Sequence, residues 1–156
     1  MPMPEATDLA MMRLALEQAR AAAALGEVPI GAVVYESATG QVLAQAHNRR
    51  EIDHDPAAHA EFLAIRAAAQ AVGDWRLNHC SLAVTLEPCA MCAGLIVNAR
   101  IGRVFYGPAD PKAGGVESLY TLATDPRLNH RAEVTGGILA EESAAMLREF
   151  FRLRRA

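Results

Sequence analysis

No uninterrupted apolar run in this chain approaches the roughly 18 residues that a membrane-spanning helix needs. The opening residues Met1-Pro2-Met3-Pro4-Glu5 carry no basic segment with an apolar stretch behind it. Both absences lead us to expect a cytoplasmic protein with no membrane contact. Cysteine is scarce, three residues in all, which excludes a disulfide framework and suits a reducing compartment. Positive charge is not in excess either: 15 Lys and Arg stand against 18 Asp and Glu, a formal net charge of -3, so the whole chain exerts no general attraction on phosphate. There is no internal repeat, no low-complexity segment, no phosphate-loop spacing and no sign of a second unit. What remains is 156 residues, 52% hydrophobic and 21% charged, enough to bury a core without cross-links, and we read residues 1–156 as a single domain.

Two short stretches concentrate the chemistry. Pro88-Cys89-Ala90-Met91-Cys92 follows an apolar run and opens a helical pattern, and two cysteines at i and i+3 near a helix start present their sulfurs to one side. Pro88 fits the first helical position, and the free N–H groups of that helix end favour thiolate. His59-Ala60-Glu61 follows Asp55, a capping residue, and Pro56, so a helix is predicted over 57–72 with His59 near its start. His59, Cys89 and Cys92 make three ligands for one Zn²⁺ per subunit and leave a fourth tetrahedral position open, the arrangement of a catalytic site. Zinc brings the pKa of bound water towards neutrality, and Glu61 is the nearby carboxylate able to carry its proton. The competing reading is a closed Cys3His site that includes Cys80. A strand over 81–86, at about 3.3 Å per residue, puts Cys80 on the order of 20 Å from Cys89, so Cys80 is expected to be a small buried apolar residue.

The rest of the chain alternates. Thr7 or Asp8 is expected to cap a first helix that runs to Gly26, with Leu9, Met12, Leu16 and Ala19 on its buried face. Strands over 29–35 and 41–47 form a hairpin. Strand 81–86, helix 90–99 and strand 103–106 alternate as parallel β/α units do, placing both metal stretches at the ends of strands or starts of helices, where α/β proteins bind ligands. A last strand over 133–139 and a last helix over 141–155 close the chain, and Trp75 is core or interface. Loop 107–115, around Asp110 and Lys112, is expected beside the pocket. Asn48 is either a turn former or an amide offered to a base.

His59-Ala60-Glu61 followed by Pro88-Cys89-Ala90-Met91-Cys92 is the pattern of the zinc nucleobase deaminases. His47-Asn48-Arg49, Asp55-Pro56, Thr85-Leu86-Glu87, Ala93-Gly94, residues 100–104 and Asn129-His130-Arg131 resemble more closely the bacterial tRNA-specific adenosine deaminases, over nearly the whole chain. That resemblance implies a three-layer α/β/α cytidine deaminase-like fold with a central mixed sheet of about five strands. It also implies a homodimer, and hydrolytic conversion of adenosine to inosine at the wobble position of the tRNA anticodon. It makes Asn48, Leu86 and Asp110 substrate-binding residues.

Residues 145–156 hold four arginines, Arg148, Arg152, Arg154 and Arg155, against Glu149: a net +3 that leaves -6 for the remainder. A helix end complementing its own dipole accounts for such a tail, and so does contact with RNA, which the resemblance raises to an equal reading. Arg152, Arg154 and Arg155 therefore join the expected substrate-binding residues. Two other functions suit parts of this text: a deaminase of free bases or nucleosides such as guanine or cytosine, and a zinc-stabilised RNA-binding module without turnover. The second leaves Glu61 without a purpose.

Overall fold

The computed structural model describes residues 3–155, and the side chain of Arg155 lies outside what it describes. The chain runs α1 (Ala6–Ala24), β1 (Gly31–Glu36), β2 (Val42–His47), α2 (Ala60–Val72), β3 (Cys80–Val84), α3 (Ala90–Ala99), β4 (Arg103–Tyr106), a short 3-10 turn (Leu122–Thr124), β5 (Glu133–Thr135) and α4 (Ala140–Arg155). No helix among the described residues is long and apolar enough to cross a membrane.

The five strands form one mixed sheet in the order β2-β1-β3-β4-β5. β1 pairs antiparallel with both β2 and β3, whereas β3, β4 and β5 run parallel. Strand side chains alternate between faces, and here both faces are covered. Ala32, Val34, Leu82, Val84, Val104 and Tyr106 pack towards α2 and α3. Val33, Tyr35, Ala83 and Phe105 pack towards Met12 and Ala15 of α1. The result is the three-layer α/β/α arrangement expected from the sequence.

Gly31 fixes the fit of α1: a Cβ there would lie 2.0 Å from the Ala15 carbonyl oxygen and 2.7 Å from the Ala19 nitrogen. Asp8 is not the cap of α1 but its third residue. Its Oδ2 accepts the Glu5 N–H, with Glu5 as the cap, and its side chain is buried against the Tyr35 hydroxyl (2.7 Å) and the Arg103 guanidinium (2.8 Å). α1 ends at Ala24, just short of Gly26.

α2 begins three residues later than the Asp55-Pro56 pattern predicts. Asp55 Oδ1 accepts the Ala57 N–H and closes a turn instead of capping a helix, and the cap position falls on His59, whose backbone is extended (φ -77°, ψ 149°). Likewise Pro88 stands one residue outside α3, because Cys89 is the cap (φ -75°, ψ 176°). β3 stops at Val84, where pairing passes to Thr85: its N–H donates to Gly31 O and its hydroxyl accepts the Gly31 N–H. β5 ends at Thr135, although the N–H groups of Gly137 and Ile138 still bond Gly107 O and Tyr106 O beside it.

Candidate active site

Two helix starts meet at the C-terminal end of the sheet. His59 caps α2 and Cys89 caps α3, with Cys92 in the first turn of α3. His59 Nδ1 lies 3.5 Å from Cys89 Sγ and 3.5 Å from Cys92 Sγ. The three donor atoms fall within 4.8 Å of one another, close enough to hold one metal ion. Cys92 is buried, while His59 and Cys89 are half-buried and line a cavity.

The donor chemistry fits a metal that takes nitrogen and sulfur. The Cys89 thiol is lowered to about 4, chiefly by the hydrogen bond it receives from Cys92 and further by His59, against the opposing effect of burial. Cys92 is pushed well above the usual thiol range by that same bond and by burial. His59 is raised through its bond to Cys89. The trio thus shares protons that a cation would replace. Cys80, buried at the start of β3, is not part of the group, and burial raises its thiol to about 11; the described site has three ligands and no fourth cysteine.

Glu61, the second residue of α2, is 4% exposed and lines the same cavity. Burial pushes its carboxyl up to about 7, opposed by its own backbone N–H and by His59. An acid poised near neutrality can both accept and return a proton.

The cavity measures about 470 Å³ and is walled by Asn48, Leu86 and Asp110, the three substrate-binding residues expected from the sequence, together with Val28, Ile30, Lys112, Leu147 and Phe151. Asn48 already serves the backbone on both sides of its amide: Oδ1 accepts the Arg50 N–H at 3.1 Å and Nδ2 donates to Val28 O at 3.3 Å. Each group retains capacity for one more bond. Asp110 Oδ1 accepts the Lys112 N–H.

The profile of the MafB19-like deaminases matches residues 6–155. A curated tRNA-specific adenosine deaminase from Bacillus subtilis (strain 168) is 47% identical over 93% of this chain and 89% of its own length. The chain belongs to the tRNA-specific adenosine deaminase family. A second member, from Haemophilus influenzae, is 45% identical over 95% of this chain and 85% of its own. A solved structure from work on A-to-I editing by tRNA:A34 deaminases superposes with a TM-score of 0.83 at 46% identity, covering 88% of this chain and 99% of that one. A guanine deaminase from Nitrosomonas europaea is more distant, 28% identical with a TM-score of 0.78 over 96% of this chain and 87% of that one.

The tail of this family member stands differently from the trio. Arg152 is exposed and paired with Glu149 at 2.7 Å. Arg154 donates to the Gly26 carbonyl at 2.7 Å and sits over the Phe150 ring, tying the end of α4 to the turn after α1. Both nevertheless border an open depression lined also by Lys112, Arg148, Leu147 and Phe151, and Lys112, Leu147 and Phe151 are shared with the cavity. Leu147 and Phe151 are not marked as site residues by the sequence, where apolar character inside a basic tail is their one signal. Glu87, equally unmarked in the sequence, is buried and accepts five hydrogen bonds from one loop. Burial acts to raise Glu87, and the bonds from Ser118 and the loop amides outweigh it, so its carboxyl is lowered.

Proposed function

We propose that this protein, acting as one deaminase domain, hydrolyses the 6-amino group of adenosine to give inosine at the wobble position of tRNA anticodon loops. The observation that carries the reading is the His59, Cys89 and Cys92 trio sharing one cavity with the buried Glu61, in a chain of this family. His59, Cys89 and Cys92 would hold one Zn²⁺, which would supply the Lewis acidity that makes water a competent nucleophile near neutral pH. Glu61 accepts one proton as water adds to C6 and delivers it to N1 of the ring; it then takes the second proton from the new C6 hydroxyl as the carbonyl forms and passes it to the amine, which leaves as ammonia when the C6–N bond breaks. Leu86, Val28 and Ile30 provide apolar walls for an unstacked base. Asn48 offers its remaining N–H and lone pair to the base edge, and Asp110 closes the far side. An anticodon loop supplies unpaired bases at small unstacking cost.

The tRNA is held beyond the target base by the basic depression of Lys112, Arg148, Arg152 and Arg154, with Arg155 next in the chain. The family resemblance supports a homodimer, and so does the apolar face of α2 and α3, where half-buried Phe62 and Leu95 adjoin the exposed Met91 and Leu128. A tRNA substrate supports a cytoplasmic location.

Ammonia release by zinc-loaded protein, compared between tRNA and free guanine, cytosine and adenosine, tests the assignment. Release from tRNA alone is expected. Release from guanine without release from tRNA would move the protein to the chemistry of its more distant structural relative.

A further inference from the structure

Glu87 lines the cavity together with its neighbour Leu86 and is followed by Pro88, which precedes the cap of α3. It is 3% exposed. One carboxylate oxygen accepts the Asp110 N–H at 2.9 Å, and the other accepts those of Val116, Glu117 and Ser118 at 3.2, 2.8 and 2.9 Å. The Ser118 hydroxyl donates as well. A carboxylate has about four lone-pair sites, so one loop saturates this one, and nothing is left over for substrate.

The loop is shaped to the carboxylate. Gly114 passes so near that a Cβ there would overlap the Glu87 carboxylate, and a Cβ on Gly115 would lie 2.7 Å from Ala90 Cα. The Glu87 N–H donates to Pro108 O at 3.1 Å, the Gly115 N–H to Pro88 O at 2.7 Å, and Cys89 forms a bridge with Gly114. Residues 108–118 therefore wrap the turn that presents Cys89. The same loop supplies Asp110, Lys112 and Ala113 to the cavity wall, and Lys112 to the basic depression too.

We propose that Glu87 is a positioning residue for the deamination: its carboxylate clamps loop 110–118 to the Cys89 turn and so sets Asp110 and Lys112 against the metal-binding trio. The proposal rests on the function assigned above. A carboxylate that served stability alone would, when replaced, lower the melting temperature and leave substrate binding in the folded protein untouched. A clamp does more, because the wall it holds is what the substrate meets.

Glu87→Gln keeps the shape, but it turns one acceptor into a donor facing N–H groups. Zinc-loaded wild type and variant are compared by amide hydrogen exchange and by steady-state kinetics on tRNA. With one zinc per chain retained, exchange at residues 110 and 116–118 is expected to speed up roughly tenfold or more, and KM to rise about tenfold with a smaller change in kcat. Glu87→Asp, which keeps the charge on a shorter stem, falls between the two. A folded, zinc-loaded Glu87→Gln with wild-type exchange and KM overturns the clamp. If Glu87→Gln does not fold, Ser118→Ala carries the test: faster exchange at 116–118 and a KM rise of about threefold support it, and no change in either overturns it. The exchange readout does not depend on the substrate. Activity on guanine in place of tRNA would therefore fail the functional assignment while the clamp is still judged.

Discussion

At the scale of single residues, the proposed function gives Glu61 and the two site cysteines distinct duties, and their replacements separate them. Glu61 donates no metal ligand in the trio and is buried at a cost to its charged form. Glu61→Ala is expected to keep one zinc per chain and its fold, while turnover falls by about 10²–10⁴, the usual worth of a positioned proton carrier. Zinc analysis beside a single-turnover assay checks both halves, and full zinc with near-normal turnover would remove the role. Cys89→Ala and Cys92→Ala are each expected to lose zinc, whereas Cys80→Ser, altering a neutral thiol at the far end of β3, keeps it. Loss of zinc from Cys80→Ser would refute a three-ligand site.

Among elements, the seat of α1 on β1 is the tightest test of packing. Gly31→Ala forces a methyl against the Ala15 carbonyl and the Ala19 nitrogen, backbone that yields only if the helix moves. Overpacking of this kind costs about 1–3 kcal/mol, and thermal melts should show Tm lowered by about 2–4 °C for each kcal/mol in a chain of this size. An unchanged Tm would mean that α1 shifts freely. The bounds of α3 and β4 were legible to the residue, because apolar runs there stop at Arg100 and Tyr106 with clear turn text on either side. The start of α2 was not. Asp55-Pro56 is a good helix-opening pattern in isolation, and only the bond from Ala57 N–H to Asp55 Oδ1 shows that it closes a turn. Cys89 and Cys92 announced themselves through local spacing, and His59 through the pattern around it. Glu87 did not, since its partners lie 23 to 31 residues ahead and nothing local marks a carboxylate as spoken for.

At the scale of the whole molecule, an acidic body carries a basic end, and that end borders the cavity through Lys112, Leu147 and Phe151. Arg154 is partly engaged in docking α4 to Gly26 O, so its loss has a structural component that Arg152 lacks. Replacing Arg152, Arg154 and Arg155 together by glutamine is expected to weaken tRNA binding. It should also flatten the slope of log K against log salt by about 0.7 for each phosphate contact removed, with zinc content unchanged. Filter binding across a salt series measures this, and an unchanged slope would mean that these arginines make no phosphate contact.

Where inosine forms decides whether this chain is a wobble deaminase. Total tRNA is incubated with zinc-loaded protein and sequenced by reverse transcription, which reads inosine as guanosine. Adenosine-to-guanosine changes are expected at the first anticodon position and absent with Glu61→Ala. Changes scattered along the tRNA, or none at all while free guanine releases ammonia, would contradict the wobble assignment.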